Sequence, residues 1–240
     1  MRDSLYIALD FSSKDLALQF LDEHQLDRVP VKVGMQLFYR EGPSLIKELK
    51  QRGHSIFLDL KLHDIPNTVY AAMKSLGKLE VDMVNVHAAG GVEMMKAACE
   101  GLRDGAEGKA PKLLAVTQLT STDSEMLKDE LLIDAPIDQV IDSYAMMSKK
   151  TGIDGVVCSV HEVKRIKERC GSDFLTLTPG IRLKGDRAND QKRVATPQLA
   201  KQQGTNYLVI GRSVTQADNP KEAYNQALKE WEDEYSQTIK

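Results

Sequence analysis

The stretch Ile56-Phe57-Leu58-Asp59-Leu60-Lys61-Leu62-His63-Asp64-Ile65-Pro66-Asn67-Thr68 decides how this chain reads. It opens as a strand, and side chains along a strand alternate between faces. Ile56, Leu58 and Leu60 therefore share one face, and Phe57, Asp59 and Lys61 share the other. A carboxylate and an ammonium project together from the end of an otherwise apolar strand. Asp64 follows in the turn. Pro66 is placed to open a helix, where its fixed φ is already suitable and its missing N–H is not needed. Two carboxylates bracket a lysine where strand becomes loop, and the chemistry is expected there.

Outward from this stretch the same alternation runs from end to end. Short apolar runs predict strands over 5–10, 31–33, 56–61, 83–87, 113–119, 155–159, 174–178 and 207–210. Amphipathic runs predict helices from Ser12 or Ser13 to about 24, then over 44–51, 66–76, 92–102, 137–150 and 161–169, and from Pro220 toward Tyr235. Eight β-then-α units imply a parallel sheet, and in this length they suit closure into one (β/α)₈ (TIM) barrel spanning residues 1–240. The alternative is a doubly wound open sheet. That fold would carry a glycine-rich fingerprint after its first strand, and Leu9-Asp10-Phe11-Ser12 is not one.

The totals set the outer limits. A chain of 240 residues can bury a sizeable core. A net charge of −3 and a pI near 6.0 give no sign of a nucleic-acid or membrane-surface binder. The three cysteines, Cys99, Cys158 and Cys170, form no C-x-x-C pair and no zinc spacing, which suits a reducing compartment. Cys158 sits in the apolar run Val156-Val157-Cys158 and reads as packing. The N-terminus enters a strand almost at once, without a signal-peptide pattern, and no apolar run is long enough to span a bilayer. A cytoplasmic protein is expected.

In such barrels the functional residues lie at the C-terminal ends of the strands. The first strand ends in Asp10, the second carries Lys32 between Val31 and Val33, and the third supplies Asp59 and Lys61. If the apolar sets face the outer helices, these four charges converge at the barrel mouth, where Asp64 could join them. Structural ion pairs plugging the barrel are the plain alternative, but buried salt bridges are costly core filling. His87, ending the fourth strand, reads as a wall of the site. Late in the chain, Thr178-Pro179-Gly180-Ile181-Arg182 leads into a polar stretch over 183–195 containing Lys184, Arg187, Gln191, Lys192 and Arg193. The eighth strand ends in Ile210-Gly211-Arg212-Ser213. Loops in these two places commonly hold phosphate, with Gly211 allowing close backbone approach and Arg212 offering paired donors.

Asp59-x-Lys61-x-x-Asp64-Ile65-Pro66-Asn67-Thr68 closely resembles the signature of orotidine 5′-monophosphate decarboxylase, the lyase that makes UMP in the last step of de novo pyrimidine synthesis. The resemblance extends over essentially the whole chain. It takes in Asp10, Lys32, Leu119-Thr120-Ser121-Thr122-Asp123, Pro179-Gly180-Ile181-Arg182, Gln191 and Gly211-Arg212 in order, in the compact bacterial form without a fused partner domain. It implies that Lys61 is the proton donor within a Lys32–Asp59–Lys61–Asp64 network. It also implies a homodimer in which Asp64, with Ile65 and Thr68, reaches into the partner's site. Asp10 and Lys32 would bind ribose hydroxyls, Thr122 would contact the pyrimidine, and Pro179, Arg182, Gln191, Gly211 and Arg212 would serve the phosphate side. No cofactor or metal is implied.

The residue chemistry points the same way. Loss of CO₂ from C6 of orotate leaves a poorly delocalised carbanion, which calls for charge and then a proton. Carboxylates beside Lys61 favour an ammonium over the neutral amine that Schiff-base chemistry requires. The rival enzyme is a magnesium-dependent sugar-phosphate decarboxylase or aldolase of a related barrel with an Asp-x-Lys-x-x-Asp motif. A non-catalytic nucleotide-binding barrel is the rival of another class.

Overall fold

A computed structural model describes residues 4–183 and 195–232. Its eight strands close into one all-parallel barrel in sequence order, β1 (Leu5–Ala8), β2 (Val31–Gly34), β3 (Ile56–Leu62), β4 (Met83–His87), β5 (Lys112–Val116), β6 (Gly155–Val157), β7 (Leu175–Ile181) and β8 (Tyr207–Ile210), with β8 pairing back to β1. Around it lie α1 (Lys14–Glu23), α2 (Met35–Glu41), α3 (Pro43–Gln51), α4 (Pro66–Gly77), α5 (Gly91–Gly105), α6 (Ile137–Lys150), α7 (Val163–Cys170), α8 (Pro197–Gln203), α9 (Arg212–Thr215) and α10 (Pro220–Glu232). The (β/α)₈ barrel expected from the alternation is the observed fold.

Side-chain parity divides the core in two. Ile56, Leu58 and Leu60 join the large apolar layer between barrel and helices. Phe57 turns inward with Tyr6, Ala8, Met83, Leu114, Val116, Val157, Leu177 and Val209 to fill the barrel. The inner layer makes the barrel a packed body rather than a pore. Its floor is closed by Lys112, whose Nζ donates to the Tyr207 hydroxyl at 2.6 Å from the first residue of β5. Register shifts interrupt two pairings, β3–β4 between Leu58 and Leu62 and β7–β8 between Thr178 and Ile181. Both fall at the C-terminal end of a strand that carries predicted site residues. Bulges re-aim side chains in this way.

Several boundaries differ from the sequence pattern. The first strand stops at Ala8, so Asp10 stands in the following loop. The fifth strand ends at Val116 and the sixth at Val157, because Gln118–Ser121 turns away and the Ser159 side chain caps a short helical turn with Glu162. The seventh strand runs on to Ile181, so Pro179 and Gly180 lie within it. Three helices, α2, α8 and α9, were not read from the pattern. The predicted end of the last helix at Tyr235 lies outside the described residues.

The α4–α5 contact depends on missing side chains. A β-carbon at Gly101 would overlap the Tyr70 carbonyl, and one at Gly105 the Lys74 carbonyl. The helices therefore meet backbone to backbone, with the Tyr70 hydroxyl donating to Asp104 at 2.7 Å. Overpacking such a contact costs about 1–3 kcal/mol, whereas a helix gains at most ~1 kcal/mol when Gly becomes Ala. Gly101→Ala should accordingly lower the melting temperature, by about 2–4 °C for each kcal/mol lost in a chain of this size. Thermal unfolding by circular dichroism checks this, and an unchanged midpoint would show that the helices separate freely.

Candidate active site

At the C-terminal mouth of the barrel opens a cavity of about 550 Å³. Its first wall is a row of alternating charges from three adjacent strands. Asp10 Oδ1 lies 3.0 Å from Lys32 Nζ, Lys32 Nζ lies 3.5 Å from Asp59 Oδ2, and Asp59 Oδ1 lies 2.7 Å from Lys61 Nζ. Parity places Lys32 and Asp59 on the inner face, as the sequence predicts. Room for the row depends on Gly34, where a β-carbon would stand 3.2 Å from Lys32 Nζ and 3.5 Å from Asp10 Oδ1.

Lys61 reaches the row by a different route from simple alternation. Its φ is +51°, in the left-handed region that non-glycine residues rarely occupy. It sits where β3 slips against β4. The side chain is re-aimed by that break in the pleat.

Burial disfavours the charge on both Lys32 and Asp59, and the neighbours overturn it. Lys32 is raised above the ordinary lysine value because Asp59 and Asp10 outweigh its desolvation. Asp59 is held below the ordinary carboxylate value because Lys32, Lys61 and a hydrogen bond from Asn85 outweigh its burial. The stability contributed by Asp59 is present above its unfolded value of about 3.9 and is lost as pH falls through its lower folded value. That of Lys32 is present below about 10.4 and is lost as pH rises through its higher folded value. The pair is ionised across the neutral range.

Asn85 completes the arrangement and was not singled out in the sequence. It is 1% exposed, donates from Nδ2 to Asp59 Oδ1 at 2.7 Å and accepts the Lys61 backbone N–H at 2.7 Å. The available signal was a polar residue in mid-strand, inward with Met83 and His87. His87 is half-buried with its ring 5.8 Å from that of His63. Burial first, then His63 and Lys61, push it below the ordinary imidazole value, so it stands as a neutral wall.

Across the cavity are Pro179, Gly180, Arg182, Gly211 and Arg212, joined by Thr215 and Gln216 one turn along α9, which were also not foreseen. Gln191 lies outside the described residues, as do Lys184, Arg187, Lys192 and Arg193. Thr120 and Ser121 line the cavity, but Thr122 does not. It is buried beside a neighbouring hollow with Asp123 and Arg165. Nor does Asp64 join the charge row within one chain. Its Oδ1 accepts the Ile65 N–H at 2.6 Å, and Asp64, Ile65 and Thr68 are exposed. None of the three lines the chain's own cavity.

Comparison with known proteins gives a consistent result. Residues 3–227 match the family model described as Orotidine 5'-phosphate decarboxylase / HUMPS family. Curated proteins named Orotidine 5'-phosphate decarboxylase from Bacillus cereus (strain AH820) and Bacillus mycoides (strain KBAB4) are each 56% identical over 234 residues, 97% of this chain and 98% of theirs. The crystal structure of Orotidine 5'-phosphate decarboxylase from Lactobacillus acidophilus is similar with a TM-score of 0.87 at 43% identity, covering 97% of this chain and 100% of that one. An uncharacterized conserved protein from Geobacillus kaustophilus gives 0.84 at 47% identity, covering 95% and 99%.

The charge row makes a prediction of its own. Asp59→Asn leaves two closely spaced ammonium groups, with Asp10 the carboxylate still paired to Lys32 among the described residues. Breaking a buried pair costs about 3–5 kcal/mol, so denaturant unfolding at neutral pH should show a loss on the order of 3 kcal/mol. The Lys32 titration, followed by ¹³C NMR of its ε-carbon, should move to lower pH. Stability and titration both unchanged would mean that Asp59 is not the counter-charge.

Proposed function

The chain belongs to the orotidine 5′-phosphate decarboxylase / HUMPS family, and from that premise we propose that it converts orotidine 5′-monophosphate to UMP and CO₂ with Lys61 as the proton donor. The observation that carries this reading is the row Asp10–Lys32–Asp59–Lys61, which ends in an ammonium at a cavity whose far side holds Gly211 and Arg212. The phosphate would lie against Arg182, Gly211 and Arg212, and the ribose hydroxyls against Asp10 and Lys32. The orotate ring then extends toward Lys61.

In the reaction the bond from C6 to the carboxylate carbon breaks and its electron pair stays on C6. The Lys61 ammonium gives a proton to C6, and the resulting amine recovers one from water. Asp59 and Asn85 hold the donor in place beforehand, so little reorganisation is needed as charge develops. The contacts at the phosphate supply binding energy remote from C6 that can be spent on positioning. The magnesium reading gains no support, because the Asp59 carboxylate is already engaged by Lys32, Lys61 and Asn85.

We also propose that the chain acts as a homodimer in the cytoplasm. Asp64, Ile65 and Thr68 stand exposed beside the mouth, and Ile65 is a large apolar side chain left 66% exposed. Met35 and Tyr39 of α2, which follows β2 directly at the same end of the barrel, are exposed as well. A second copy seated there would cover them and bring Asp64 to the partner's Lys61 ammonium.

Two experiments test these readings. Lys61→Ala should cut turnover of orotidine 5′-monophosphate, followed by ultraviolet absorbance, by at least about 10⁴-fold while UMP binding by calorimetry persists. Near-normal turnover would remove Lys61 as the donor. Lys61→Ala and Asp64→Asn should each be nearly inactive, yet on mixing half of the dimers become hybrids with one intact site. Activity should then recover to about a quarter of normal, as two-fold symmetry requires. No recovery despite demonstrated subunit exchange would rule out a shared site.

A further inference from the structure

A ring of hydrogen bonds closes beneath Lys61. Its backbone N–H donates to Asn85 Oδ1 at 2.7 Å, Asn85 Nδ2 donates to Asp59 Oδ1 at 2.7 Å, and the same oxygen accepts from Lys61 Nζ at 2.7 Å. The ring returns through the lysine side chain to its own backbone. One carboxamide thus fixes both ends of the residue.

The position of the ring follows from the strand irregularity. Between Leu58 and Leu62 the β3–β4 register slips, so the intervening residues leave the regular ladder. The Lys61 N–H falls in that interval, and a buried N–H without an acceptor is costly. Asn85, 1% exposed and directed inward from mid-β4, supplies that acceptor. It does so where Lys61 has a φ of +51°, a conformation that a non-glycine residue keeps only when its surroundings hold it. The orientation of the amide is set as well. Turned over, it would place its oxygen against the Asp59 carboxylate and its NH₂ against the Lys61 N–H, two repulsive contacts in place of two hydrogen bonds.

We propose that Asn85 is a positioning residue for the decarboxylation, holding Lys61 in its left-handed conformation and sharing the Asp59 oxygen that anchors the Lys61 ammonium. The proposal rests on the reading of Lys61 as proton donor. It adds a requirement on β4, outside the Asp-x-Lys-x-x-Asp motif. Leucine at this position removes both halves of the ring at similar volume. Alanine removes both without adding bulk, at the cost of a cavity. Aspartate has the shape of the amide and restores both hydrogen bonds only while its carboxyl is protonated, the form that burial beside Asp59 favours.

The test compares the unaltered protein with Asn85→Leu, Asn85→Ala and Asn85→Asp, by turnover of orotidine 5′-monophosphate and by UMP affinity. Misplacement of a catalytic group by about an ångström costs about 100-fold, so kcat of Asn85→Leu should fall by about that factor while UMP affinity stays within about threefold. The acid limb of its kcat/KM profile should move to higher pH, because Asp59 loses a donor that favours its ionised form. At mildly acidic pH, where the introduced carboxyl is protonated, Asn85→Asp should turn over at least about tenfold faster than Asn85→Leu or Asn85→Ala.

The proposal is overturned if Asn85→Leu keeps kcat within about threefold of the unaltered protein, a change too small for a lost transition-state contact. It is equally overturned if UMP affinity falls in step with kcat, or if Asn85→Asp at mildly acidic pH turns over no faster than Asn85→Ala. That last comparison decides the matter should the leucine variant fail to fold. Absence of turnover in the unaltered protein would instead defeat the proposed reaction, and so separates the two failures.

Discussion

Asp59 is the constraint around which this site is arranged. A carboxylate 9% exposed at the end of an apolar strand is tolerable only if its charge is met on more than one side. Lys32 meets it from β2, Lys61 from β3 itself, and Asn85 from β4. Each partner needs something further from the backbone. Lys32 needs the empty space at Gly34, and Lys61 needs a left-handed residue in a slipped strand. Replacing the whole row with apolar residues would fill a barrel end more cheaply. The cost of keeping it is intelligible if the charges have work to do.

The barrel allows this expense because its lower layers bear the packing. Tyr6, Phe57, Met83 and Leu177 fill the interior, and the Lys112–Tyr207 contact closes the far end. The two register shifts occur on β3 and β7, and both lie at the mouth. β3 delivers Lys61 and β7 delivers Pro179, Gly180 and Arg182 to opposite sides of one cavity. The irregular ends of these strands are where the fold departs from packing to serve the site.

How much of this the sequence discloses depends on how local each cause is. Alternation within single strands is local, and it was enough to place the eight strands, the inner face of Phe57 and the convergence of Lys32 with Asp59. It also placed Lys61 correctly, but the regular pleat assumed for that residue does not exist there. α2 follows β2 directly through Gly34, with no capping side chain to mark its start. Asn85 was legible as a polar residue of inward parity, but its two partners are 24 and 26 positions away, and only closure of the barrel brings them together. Asp64, three residues from Lys61, shows the converse. A turn of the chain leaves it exposed, and proximity in sequence did not bring it into the row.

On the proposed reaction, the order of the charge row has a mechanistic meaning. An ammonium free in water must shed its hydration before it can face a developing carbanion, whereas Lys61 is held by Asp59 within the protein. The hold cannot be too strong, since the proton must leave. Asp59 divides its charge between two ammonium groups and a carboxamide, so no single partner takes all of it. Lys32 is deep in the row, with the nearest carboxylates on either side of it, and is raised accordingly. Lys61 ends the row and faces the cavity with Asp59 as its close carboxylate within the chain. Position in the row therefore sets Lys32 between two carboxylates and puts the Lys61 ammonium at the cavity.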